Sequence, residues 1–134
     1  MRTVKPFRLK PPPMPKELIE QRTLMKWVEL REAALPELEL LYAIPNGARR
    51  DKITGAQLKA SGVRRGVPDL CLPVARGGYH GLYIELKRCG SGVVSPKQRW
   101  WLDQLRKQGF RTEVCYGWLD ARQIIEGYLG MGNG

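Results

Sequence analysis

Glu85 and Lys87 stand two positions apart in Leu82-Tyr83-Ile84-Glu85-Leu86-Lys87, an apolar run that reads as a β-strand. Alternate side chains of a strand share a face, so the Glu85 carboxylate and the Lys87 ammonium project together while Ile84 and Leu86 turn toward a core. A second carboxylate, Asp69, follows Pro68 at the head of another short run, residues 69 to 73. The glycine-rich connection Ala75-Arg76-Gly77-Gly78-Tyr79-His80-Gly81 makes the two runs a hairpin, which predicts antiparallel neighbours with Asp69 across from Glu85. Hard divalent cations such as Mg²⁺ take oxygen ligands and keep several waters, so two carboxylates on adjacent strands can form a partial coordination shell. Such a site suits phosphodiester hydrolysis: the cation acidifies water and balances transition-state charge, while Lys87 orients the water or neutralises the phosphate. A strand ending Glu-Leu-Lys is also common on solvated sheet edges. What sets this one apart is the Pro-Asp start, the hairpin, and the basic residues Arg49, Arg50, Lys52, Lys59, Arg64 and Arg65.

The surrounding elements follow from periodicity and punctuation. From Glu17 to about Ala34, Leu24, Val28 and Arg31 fall at helical spacing beside Trp27, and Pro36 ends the pattern. Residues 40 to 44, Leu-Leu-Tyr-Ala-Ile, read as a buried strand closed by Pro45-Asn46-Gly47. Three later segments open with a short oxygen-bearing side chain and a glutamine three positions on, the signature of a capping box: Thr54 with Gln57, Ser95 with Gln98, Asp120 with Gln123. They predict helices stopping at Gly62, at Gly109 and near Leu129. Residues 111 to 116 read as a strand parallel to residues 82 to 87, because a helix separates the two. The expected architecture is a single α/β domain with a central mixed four-stranded sheet flanked by helices, in the order α-β-α-β-β-α-β-α.

The chain of 134 residues is 43% hydrophobic and carries a formal charge of +10. That suits one domain with a real core and an anionic partner. Residues 1 to 16 hold five basic and no acidic side chains, and residues 45 to 68 hold six basic against Asp51 alone, whereas 17 to 44 are net negative. The excess therefore sits in a proline-rich arm and one internal segment, as expected if two surfaces approach a phosphate backbone. A solvated face is the plainer alternative. Neither segment has the apolar stripe of a membrane-surface helix. With no apolar run of about 18 residues and no continuous apolar start, a cytoplasmic location is expected. Cys71, Cys89 and Cys115 lack paired metal-site spacing and are expected to be reduced and mostly packed.

Glu85 stands sixteen positions after Asp69, and Pro68-Asp69 with Glu85-Leu86-Lys87 resembles the PD-(D/E)XK nuclease motif. The flanks Pro45 to Arg50, Leu58 to Leu70, Gly81 to Lys87 and Ser95 to Gln98 resemble its VRR-NUC branch, notably the stand-alone, phage-type members. The resemblance implies a restriction-endonuclease-like fold akin to that of Holliday junction resolvases. It also implies Mg²⁺- or Mn²⁺-dependent endonucleolytic hydrolysis of DNA, selective for branched forms, by a homodimer, in a phage-encoded protein acting in a bacterial host. The corresponding layout is an arm at 1–16, a nuclease domain at 17–130 and a tail at 131–134. The implied metal set is Glu17, Asp69, Glu85 and Leu86, and the implied catalytic set is Asp69, Glu85, Lys87, Gln98 and Glu17. Glu17 matches the family's Glu-x-x-x-Gln pattern with Gln21, but Glu20 lies one helical turn on and competes for the same role. Gln98 either faces the site or serves only as a capping glutamine.

The six arginines and lysines between 49 and 65 are read as DNA-binding, the alternative for Arg49 and Arg50 being a solvated loop beside Asn46. Trp100 and Trp101 are adjacent in a helix and are expected to pack in the core, with stacking on an unpaired base as the alternative. His80, the sole histidine, lacks partners at ligand spacing. Two other classes stay open. One is a non-catalytic DNA-binding module on a nuclease fold; the other is an enzyme specific for a short sequence, for which no recognition domain is visible.

Overall fold

The computed structural model of the chain describes residues 16–45 and 55–133. Helix α1 (Lys16–Arg31) carries Glu17 in its first turn and Arg31 in its last, charges that complement the helix dipole. It buries Leu24, Trp27 and Val28, a stripe at three- and four-residue spacing. The helix stops at Arg31, short of the expected Ala34 and well before Pro36, which instead opens a 3₁₀ turn, Pro36–Leu40. The strand expected at 40–44 is therefore cut to β1 (Tyr42–Ala43), and both of its residues are exposed. Leu38 and Leu41 are the buried residues here, and their threefold spacing belongs to the tighter helix rather than to a strand.

Helix α2 (Gly55–Ala60) follows; Thr54, its expected cap, lies outside the described residues, as do Arg49, Arg50 and Lys52. Strand β2 (Leu70–Leu72) is buried throughout, as a strand covered on both faces must be. Strand β3 (Leu82–Lys87) pairs antiparallel with β2, with Leu70 opposite Ile84, and parallel with β4 (Arg111–Tyr116), with Glu85 opposite Val114. The sheet order is β1-β2-β3-β4, which makes the short β1 an edge. This is the mixed four-stranded arrangement expected from the hairpin and the crossover.

Helix α3 (Pro96–Lys107) begins with a complete capping box: Ser95 Oγ accepts from the Gln98 amide, and Gln98 Oε1 accepts from the Ser95 amide. Helix α4 (Trp118–Leu129) corrects the expectation of a cap at Asp120. Its N-cap lies three residues earlier, at Gly117, and Asp120 Oδ2 instead accepts from the Tyr116 amide at 2.9 Å. The Trp118 amide donates at 2.5 Å to Glu20 of α1, so the cap comes from a residue far away in sequence.

One face of the sheet, with Leu70, Leu72, Leu82, Ile84, Leu86 and Cys115, packs on Leu24 and Val28 of α1 and on Ala121, Ile125 and Tyr128 of α4. The Tyr128 hydroxyl donates to the Val74 carbonyl at 2.5 Å, which satisfies its polar end inside this core. Helix α3 covers the opposite face, where alternation along β3 places Glu85, and it buries Leu102 there. Among the described residues no helix is long and apolar enough to cross a membrane. Cys71 and Cys115 are buried free thiols, and burial pushes Cys115 up to about 12; Cys89 departs from the expected packing and is exposed.

Candidate active site

Asp69 sits one residue before β2, and its Oδ2 accepts from the Leu86 amide of β3 at 2.7 Å. Continuing the β2–β3 register places Pro68, which has no amide proton, opposite Leu86, so the carboxylate takes the place of a backbone rung. Glu85 is 2% exposed. Its Oε1 accepts from Gln98 Nε2 at 2.8 Å and lies 3.5 Å from Lys87 Nζ, while its Oε2 is buried with no hydrogen-bond partner among the described residues. Gln98 is more than a cap: its oxygen caps α3 and its nitrogen holds Glu85.

Burial, and next the charge of Asp69, push Glu85 up to about 8. Asp69 is also raised, chiefly by burial, although the Leu86 amide and the Lys87 ammonium pull it back. The buried Glu85 and the part-buried Asp69 resist ionising together, and a cation between them would favour the doubly ionised form. Leu86 can offer such an ion only its main-chain carbonyl, since its side chain belongs to the core.

Glu17, from the first turn of α1, approaches Lys87 Nζ with its Oε1 at 4.0 Å, whereas the Glu20 carboxylate is engaged by the Trp118 amide. Glu17 is therefore the helix carboxylate that faces the cluster, and it does so through the ammonium. Among the described residues no three acidic, histidine or cysteine side chains converge as a ready-made cage.

Two features escaped the sequence reading. Gly92 lies against the Lys87 stem, so closely that a Cβ there would fall 2.5 Å from Lys87 Cβ and 3.0 Å from Cγ. Lys87 is left 5% exposed, its ammonium aimed at the two glutamates. The glycines at 90 and 92 just beyond Lys87 were the available signal. Second, Trp100 and Trp101 are not core residues: Trp100 is 48% exposed, and Trp101 Nε1 donates to the Arg65 carbonyl at 3.0 Å. Lys59, Arg64 and Arg65 are exposed on the α2–β2 segment. His80 stacks edge-on against Phe110, with centroids 5.9 Å apart.

An Asp and a Glu-x-Lys on one hairpin of a mixed sheet, with helices on both faces, define a domain of the PD-(D/E)XK nuclease type. The sequence model of the VRR-NUC domain family matches residues 14–118, and the chain belongs to that family. A solved structure described as a VRR_NUC domain protein superposes with a TM-score of 0.73 at 27% identity, over 90% of this chain and 93% of the other. Among curated proteins, none matches the sequence. A VRR-NUC domain is a nuclease-type domain that acts on DNA.

Proposed function

We propose that this domain is an endonuclease that hydrolyses DNA phosphodiester bonds with Mg²⁺ or Mn²⁺ held by Asp69, Glu85 and the Leu86 carbonyl, with Glu17 as the outer carboxylate. The observation that carries this reading is Glu85, buried beside Asp69 with one oxygen held by Gln98 and the other without a hydrogen-bond partner among the described residues. A bound divalent cation would supply positive charge to the scissile phosphate and acidify the attacking water. Gln98 fixes the Glu85 carboxylate so that one oxygen stays directed to the site. Lys87, held between Glu17 and Glu85, presents an ammonium to the phosphate or to the incoming water. Arg64, Arg65 and Lys59, with Arg49, Arg50, Lys52 and the arm before residue 17, would grip the backbone.

Branched DNA as substrate, a homodimer as the acting unit and a phage-encoded origin are supported by the resemblance to stand-alone VRR-NUC proteins. Purified protein is expected to nick supercoiled plasmid and cut four-way junctions with Mg²⁺ or Mn²⁺ but not in chelator. Glu85→Ala should abolish cleavage while leaving the circular dichroism spectrum unchanged. Full activity in that variant would remove Glu85 from the mechanism. DNA binding without cleavage under any divalent cation would mark the protein as a recognition module instead.

A further inference from the structure

A groove of about 450 Å³ runs between the α2–β2 connection and α3, apart from the residues assigned to the metal. Its walls include Ile44, Val63, Val67 and the indole of Trp101, with Arg64 also lining it. The volume falls in the range of small-ligand sites, roughly 300–1,000 Å³, and apolar walls with one guanidinium suit a planar ring that carries a phosphate.

Two contacts lock these walls together. Trp101 Nε1 donates to the Arg65 carbonyl, and Gly66, at φ 85°, runs so near α3 that a Cβ would lie 2.7 Å from Lys97 Cγ and 3.0 Å from the Lys97 carbonyl carbon. Only glycine holds both that backbone angle and that approach. Beside the groove, Trp100 meets Trp101 edge-on with centroids 5.5 Å apart, and Lys97 Nζ lies 4.3 Å from the Trp100 ring centre.

Charge and position both select the occupant. Residues 55 to 68 and 94 to 102, which supply most of the walls, hold Lys59, Arg64, Arg65, Lys97 and Arg99 and no acidic residue, the complement of a polyanion. The groove also adjoins the candidate active site along both walls. Val67 is two positions from Asp69, and Trp101 is one helical turn from Gln98, which bonds Glu85.

We propose that this groove binds one unpaired nucleotide of the DNA substrate, its base against the Trp101 indole and its phosphate at Arg64. The proposal rests on the nuclease reading and narrows it to DNA that presents an unstacked nucleotide near the scissile bond, as junctions and flaps do. Base–aromatic stacking of about 1–3 kcal/mol corresponds to roughly a five- to 150-fold effect on affinity.

Binding is measured in EDTA, where no metal-dependent cleavage intervenes, by fluorescence anisotropy of a labelled duplex and of the same duplex carrying a single-stranded thymidine flap. The wild-type chain should favour the flap. Trp101→Ala should weaken flap binding about tenfold while leaving duplex binding unchanged, and Trp100→Ala, whose half-exposed ring lies beside the groove, should change neither. Trp101→Phe, which keeps a ring but loses the bond to Arg65, should weaken the flap less. Arg64→Ala should weaken both DNAs. Equal losses on both DNAs, or no loss, in Trp101→Ala would overturn the proposal, as would a Trp101→Phe variant no better on the flap than Trp101→Ala. So would a change in mass by light scattering without a change in flap preference, which would assign Trp101 to a contact between subunits. Failure of the nuclease reading shows separately, as a flap preference that persists in a protein unable to cleave with any divalent cation.

Discussion

At the scale of single residues the site is governed by the cost of keeping charge out of water. The folded metal-free protein holds a proton on Glu85 up to about pH 8, whereas a free glutamate releases it near 4.5. Between those values the native state binds more protons than the unfolded one, so stability falls as pH rises through that window. Melting curves in EDTA should therefore show a falling midpoint from about pH 5 to 8, and Glu85→Gln should flatten the trend. Divalent cations should restore the midpoint most at the alkaline end, because binding there displaces no proton from Glu85. A flat wild-type profile would contradict this account. Gly92 makes a second residue-scale prediction. Gly92→Val needs space now filled by the Lys87 stem, so cleavage should drop at least tenfold while the melting temperature shifts by only a few degrees. Wild-type turnover in that variant would show that Lys87 does not depend on the contact.

Elements were legible where their signals were local. Strands β3 and β4 and helix α3 fall where alternation, capping chemistry and glycine stops place them, because each signal lies within the segment it shapes. The failures share one cause, competition from a distant or a tighter partner. Residues 40–44 look like a strand, yet the chain still turns as 3₁₀ through Leu40, with Leu38 and Leu41 burying themselves at its spacing. Asp120 looks like a cap, yet Glu20 takes that role from another helix. The same contact separates the two candidate glutamates. Glu20→Ala should cost about 1–2 kcal/mol in urea unfolding by uncapping α4. Glu17→Gln should change stability by less than about 0.5 kcal/mol while lowering metal-supported cleavage. If the two variants exchanged these phenotypes, the assignment of Glu17 to the site would fall.

Over the whole molecule, the carboxylates stand on a sheet whose other face is the main core, so the site is as rigid as the packing beneath it. Leu24→Ala and Ile125→Ala each remove a fully buried side chain between sheet and helix, and each should cost about 2–5 kcal/mol by urea titration. The positive balance of +10 makes a global prediction about DNA. Duplex affinity should fall on the order of a thousandfold between about 50 and 200 mM salt, the magnitude for six or so phosphate contacts. A shallow slope would mean that the basic segments do not touch the backbone. Composition made this charge legible, and the motif spacing made the hairpin site legible. The groove beside Trp101 was not, because it depends on a tryptophan nitrogen meeting a carbonyl 36 positions away, a pairing with no local signature.

The bond from the Leu86 amide to Asp69 turns the backbone itself into a spectroscopic reporter. That amide hydrogen senses one carboxylate directly and belongs to the strand that carries the other. Its nitrogen and proton resonances should move with any ion that draws on the Asp69 charge, and its solvent exchange should slow as that ion tightens the hairpin. A single labelled leucine would then follow the filling of the site in solution, with no DNA present and no bond cut.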